Sequence, residues 1–249
     1  MRKSYLIAIV VSVALGLIVL FLLFPTQPKS ALDKANSPIA DSVKIQQAIE
    51  LVNGPQPMQG IQMLLSMIDE SQAEINELRN FQIYLVNHYD NIEIPFIYVN
   101  KLFEIRPFIS DLVNKHEIRI KELEKQIIPV HFVLGEFAIR SGQMEKAVAR
   151  FNTIINLQPQ NTLAYIYKGE ALMQMDSLET ALATFKAAIA TDSTSGIALV
   201  YAGKMNEQLG NFSEAKTLYN QILRHNEDPI VRDSVNAFIK KIDIKLNNK

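Results

Sequence analysis

Residues 162–195 read TLAYIYKGEALMQMDSLETALATFKAAIATDSTS, and the small and aromatic residues of this stretch return at the same offsets on either side of it. Gly135, Gly169 and Gly203 are spaced by 34, as are Ala147, Ala181 and Ala215, and so are the aromatics Phe151, Phe185 and Tyr219. A 34-residue period with small residues at fixed offsets marks an array of paired helices, in which each unit is too small to bury its apolar face alone. Close approach explains the small columns. Within each unit we expect the glycine of the first helix to face the alanine of the second, with the aromatic four residues later filling the gap to the next unit.

At these residues the chain resembles the tetratricopeptide repeat (TPR) family, whose pattern has leucine–glycine in the first helix, alanine and phenylalanine in the second, and a closing proline. The unit 128–161 carries Leu134-Gly135, Ala147, Phe151 and Pro159. The unit 162–195 carries Tyr165, Gly169, Ala181, Phe185 and Ala188, with Ser193 in place of the proline. The unit 196–229 carries Gly203, Ala215 and Tyr219, its proline displaced to Pro229. Between the helices of each pair lie Ser141-Gly142, Asp176-Ser177 and Gly210-Asn211, all turn formers. A degenerate unit at 41–74 has Ala48, Gly60, Leu64 and Met67 at the corresponding offsets. The resemblance implies an all-α fold, a TPR-type helical-hairpin solenoid.

Outward from this core the register changes. Residues 75–127 do not fit the period and read as an inserted helical region. Within it Ile109, Leu112, His116, Ile120, Leu123 and Ile127 form a helical stripe with one polar intruder. The aromatic and β-branched stretch from Phe81 to Phe103 reads as helix broken near Asp90–Pro95. After the repeats, residues 230–249 read as a capping helix. Asp228-Pro229 is a favourable start, and Val231, Val235, Phe238, Ile242 and Leu246 make one apolar face.

The N-terminus is of another kind. From Tyr5 to Phe24 only Ser12 and Gly16 are not apolar, enough for a helix at about 1.5 Å per residue to span the roughly 30 Å of a bilayer core. A cleaved signal peptide has a shorter apolar run that ends in small residues, whereas this run ends in Phe24-Pro25-Thr26-Gln27-Pro28. We therefore read residues 1–4 as a cytoplasmic stub, 5–24 as a transmembrane signal anchor in contact with the lipid bilayer, and 25–40, with three prolines, as a linker. Arg2 and Lys3 favour a cytoplasmic N-terminus and an exported body. By resemblance to bacterial envelope TPR proteins, the body is expected in the periplasm, anchored in the inner membrane.

Composition removes whole classes of function. The chain has 249 residues, with 25 Lys+Arg against 26 Asp+Glu, so no basic excess suits a nucleic-acid partner. It has no cysteine, which excludes disulfide scaffolds, thiolate metal sites and cysteine nucleophiles. His88, His116, His131 and His225 show no metal-ligand spacing, and no phosphate-binding loop or nucleophile elbow occurs. Neither a catalytic site nor a metal nor a cofactor is expected.

A protein or peptide partner is the remaining class. The resemblance implies that the first helix of each unit lines a concave groove, with the residues three before and one after the glycine pointing into it. Those are Phe132, Ile166 and Val200, an apolar strip, then Glu136, Glu170 and Lys204, and further along Ile139 with Arg140, Met173 with Gln174, and Glu207 with Gln208. The set departs from the Lys/Asn/Arg clamp with which some TPR domains hold a C-terminal carboxylate. Two roles compete. One is a membrane-anchored interaction module that recruits a partner through this groove. The other is a self-assembling spacer, a homo-oligomer or a chain whose groove is filled by its own insert.

Overall fold

The computed structural model describes residues 42–90 and 99–247. The stub, the apolar run of 5–24, the linker and most of the expected break near Asp90–Pro95 lie outside them. Among the described residues no helix is long and apolar enough to cross a membrane.

All regular structure among the described residues is helical. The elements are α1 (Ser42–Asn53), α2 (Pro57–Asp90), α3 (Val99–Arg140), α4 (Met144–Leu157), α5 (Thr162–Gln174), α6 (Leu178–Thr191), α7 (Gly196–Gln208), α8 (Phe212–His225) and α9 (Pro229–Asn247). They divide into two units, one of residues 72–122 and one of residues 42–71 with 123–247. The described residues of the expected insert, 75–127, lie within α2 and α3, two long helices of about 51 and 63 Å at about 1.5 Å per residue.

Within residues 72–122, Ile75, Leu78, His116 and Ile120 are buried. Arg119 donates through Nε to Glu74 Oε1 at 2.9 Å, and both side chains are largely buried. His116, the polar intruder of the stripe, is fully enclosed, and burial pushes its pKa below the ordinary value.

The larger unit is an all-α, TPR-like solenoid in which α3 pairs with α4, α5 with α6 and α7 with α8, and α9 follows. Its central packing differs from the expected glycine-on-alanine contact. Each glycine meets the aromatic ring of its own second helix. A Cβ at Gly135 would stand 2.6 Å from Phe151 Cζ, one at Gly169 2.5 Å from Phe185 Cε1, and one at Gly203 2.5 Å from Tyr219 Cε1. The other face of each ring stacks on a ring of the following first helix, with centroids 5.4 Å apart for Phe151–Tyr167, 5.0 Å for Phe185–Tyr201 and 5.3 Å for Tyr219–Phe238. The alanines are small for the core around these rings, since Ala147, Ala181 and Ala215 are all fully buried.

Each paired turn closes alike. The residue in the left-handed region is Gly142 (φ 72°), Asp176 (φ 57°) or Gly210 (φ 78°), and the following N–H bonds back to the carbonyl of Ala138, Leu172 or Asn206 at 2.8–3.0 Å. Asn161 and Ser195 cap α5 and α7 by accepting from the N–H of Ala164 and Ala198.

At the N-terminal end, α1 and the start of α2 cross closely. A Cβ on Gly60 would stand 2.6 Å from the Ala48 carbonyl and the Val52 nitrogen. Relative to the other units the small residues are exchanged, with alanine in the glycine column and glycine in the alanine column. Leu64 holds the aromatic column, so no ring presses on Ala48. Val130 and Leu134 of α3 complete this cluster.

At the other end, Val235 and Ile242 of α9 join Leu199, Tyr219 and Ile222 in one core, while Leu246 of the expected apolar face is exposed. Asp228 Oδ1 accepts from the Ile230 N–H, and Arg232 donates to the carbonyls of Leu223 and Asn226. The opposite side of α9 presents Asp233, Asn236, Ala237 and Lys240 to solvent.

Two predictions follow from the core. Gly169→Ala drives a Cβ into the Phe185 ring and Ala181→Leu enlarges a fully buried side chain; each should lower stability by about 1–3 kcal/mol, against roughly 0.5 or less for Lys186→Ala on an exposed face. Equal melting temperatures for the three variants, followed by circular dichroism, would show that the ring is not wedged.

The second concerns acid. His131 is buried on α3 with its Nδ1 3.5 Å from Arg150 Nη1, and burial, then the Arg150 charge, lower its pKa from 6.5 to about 4. Below pH 6.5 the unfolded chain takes up a proton there that the folded chain refuses until about pH 4. Stability is thus full above pH 6.5 and falls as pH drops through that window, by about 2 kcal/mol between pH 7 and pH 5. In urea titrations His131→Gln should lose about that much less over the same interval; an unchanged pH dependence would refute the assignment.

Candidate partner-binding face

The rings that lock the units also reach the surface. Tyr167, Tyr201 and Phe238 are each partly exposed, with one face on the core ring. Beside them stand the residues that follow the glycines. Tyr167 bonds to Glu136, and this hydrogen bond, then burial and the charges of Glu136 and Glu170, raise its phenol above the ordinary value. Burial, then the charge of Glu170, raises Tyr201 in the same way. Lys204 Nζ lies 5.9 Å from the Tyr201 centroid and 5.8 Å from that of Phe238, within cation–π range. Glu136, Tyr167, Glu170, Tyr201, Lys204 and Phe238 thus form one row that alternates charge and ring across α3, α5, α7 and α9.

The row ends in an open cavity of about 320 Å³. Met173, Met205 and Phe238 give it apolar walls, and Lys204, Lys241 and Lys245 stand around it with Glu207 and Gln208. Glu207 is held from two sides. Its Oε1 accepts from the Tyr219 hydroxyl at 2.8 Å, and its Oε2 lies 3.7 Å from Lys241 Nζ. Burial, then that bond and the Glu207 charge, keeps the Tyr219 phenol protonated well beyond its usual range. Lys245 Nζ sits 5.0 Å from the Phe212 centroid.

The expected apolar strip is not an open surface. Ile166 is buried against Ala188 and Ala198. Phe132 is half-buried, edge-on to Phe151 and Tyr167, and Val200 packs on the Leu199–Tyr219 cluster. In the middle unit Tyr167, beside the buried Ile166, reaches the surface, because one residue rotates the side chain by about 100° around the helix. Ile139 packs on the first core cluster, and Arg140 reaches Asn53 Oδ1 on α1 at 3.4 Å. Met173, Lys204, Glu207 and Gln208 do come together at the cavity, and Gln174 is exposed at the end of α5.

Sequence reasoning missed Tyr167, Tyr201, Phe238, Lys241 and Lys245. The period itself was the available signal, since Phe238 and Lys241 lie 34 residues after Lys204 and Glu207. Among the described residues no group of three His, Asp or Glu side chains is placed to hold a metal ion.

No curated protein matches the sequence. Among solved structures the chain is similar to the TPR2B domain of yeast Sti1 in its pHsp70 complex, at 14% identity over 47% of this chain and 97% of that one, with a TM-score of 0.44. It is similar to the Arabidopsis OM64 TPR domain, at 19% identity over 48% and 96%, TM-score 0.43. It is also similar to the MamA protein, at 17% identity over 59% and 88%, TM-score 0.40. The family model described as tetratricopeptide repeat matches residues 197–228. Helices α7 and α8 therefore form a tetratricopeptide repeat, one unit of the helical array whose 34-residue period runs through Gly135, Gly169 and Gly203.

Proposed function

We propose that this protein is a membrane-anchored, non-catalytic interaction module that holds a protein or peptide segment along the row from Glu136 to Phe238. The observation that carries this reading is the row itself. Rings fixed from behind by the core reach the surface on successive first helices and α9, with charges beside them, and rigid aromatic anchors flanked by charge are what peptide recognition uses. In the same reading residues 41–74 are a degenerate unit of the array, and the apolar run of 5–24 anchors the body on the exported side of a bacterial inner membrane.

A photoreactive phenylalanine analogue at Gln174, an exposed residue on α5, tests the module. Irradiated cells should yield an adduct with a different protein, and Glu170→Lys with Lys204→Glu should abolish it without moving the melting temperature by more than a few degrees. An adduct of doubled mass containing only this chain would favour the self-assembling spacer instead. For the anchor, protease added to spheroplasts should digest the body; full protection would place it in the cytoplasm, and a mature N-terminus near residue 30 would remove the anchor.

A further inference from the structure

The charge along the row is not mixed at random. Before Tyr201 both charged positions are acidic, Glu136 and Glu170. After it they turn basic, with Lys204 over Tyr201 and Phe238, and Lys241 and Lys245 around the cavity. Glu207 offsets one of those three lysines and is itself turned inward, bonded to the buried Tyr219 hydroxyl. The side chains of Lys204 and Lys241 remain exposed. The reversal thus coincides with a cavity that joins apolar walls to these lysines, and its volume of about 320 Å³ is at the small end of the range for binding pockets, about 300–1,000 Å³.

Resting on the interaction-module reading, we propose that the face selects an extended segment of opposite charge polarity. Its basic residues lie over Glu136 and Glu170, a large apolar side chain enters the cavity against Met173, Met205 and Phe238, and an acidic side chain beside it is held by Lys204 and Lys241. Charge complementarity argues for this occupant over a uniformly charged one. A wholly basic segment would set cations against Lys204, Lys241 and Lys245, and a wholly acidic one would set carboxylates against Glu136 and Glu170. Like-charge juxtaposition of that kind is a strong means of rejecting wrong partners. The apolar walls add the anchor that charge alone does not provide.

The test uses the full chain in detergent and fluorescein-labelled, C-terminally amidated peptides of twelve residues, so that only side chains supply carboxylates. One probe has two lysines at one end, a leucine and a phenylalanine in the middle and two glutamates at the other end. An isomer of identical composition alternates the charges, and two further probes are all-basic and all-acidic around the same apolar pair. The polarised probe should bind at least tenfold tighter than the other three at 50 mM salt, with the margin shrinking at 500 mM. In Lys204→Glu with Lys241→Glu the preference should pass to the all-basic probe, and in Glu136→Lys with Glu170→Lys to the all-acidic one. Such exchanges of preference are not produced by loss of fold. Equal binding of the polarised probe and its isomer, binding of no probe, or variants that keep the original preference would each overturn the proposal. If probes fail while the Gln174 crosslink still captures a different protein, the module stands and the charge polarity falls; if both fail, the module reading falls as well.

Discussion

The contact on which the solenoid depends is a ring held between a glycine and a second ring. Phe151, Phe185 and Tyr219 each approach the backbone of their own unit so closely that no Cβ fits, and each offers the opposite face to an aromatic of the next first helix. One side chain thereby joins two interfaces, within the unit and between units. Both faces of the ring leave water, so each carries a large share of apolar burial. The fixed separation this imposes is why glycine recurs at 34-residue intervals, while alanine suffices at Ala48, where Leu64 takes the place of the ring.

The same contact builds the candidate site. Tyr167, Tyr201 and Phe238 are immobilised from behind, which removes rotamer freedom before any partner arrives. Their outer edges are then fixed points beside which Glu136, Glu170 and Lys204 stand at the step of the repeat. In the last unit the core ring is a tyrosine, and its hydroxyl extends the coupling to Glu207 and through it to Lys241. Packing and electrostatics of the face are thus set by one row of contacts.

The sequence made the helical array legible because its requirement is local and exact in spacing. A ring on a backbone needs glycine, and three columns in one register leave little else to read. The side of the helix was harder. Ile166 and Tyr167 are neighbours in the chain yet point about 100° apart, so the column three before the glycine placed the buried Ile166 in the groove while Tyr167 beside it reaches the surface. Residues 75–127 fall out of register because the described ones lie within two long helices, α2 and α3, and not in pairs of the 34-residue period. The role of α9 was hidden by its own substitution: Ala237 stands in the glycine column, and without the glycine the helix read as a cap and nothing more.

That substitution has a consequence for modularity. α9 keeps the inward register of a first helix, with Val235, Phe238 and Lys241 in the columns of Tyr201, Lys204 and Glu207, but turns Asp233, Asn236 and Lys240 outward where Leu199, Ala202 and Asn206 of α7 are buried. Nearest-neighbour arrays grow by adding interfaces one at a time. A handful of side chains on one side of a single helix therefore separates a terminated array from an extensible one, and the groove could be lengthened by redesigning that side, with glycine at Ala237 and a ring-bearing helix grafted beyond, leaving the existing units untouched.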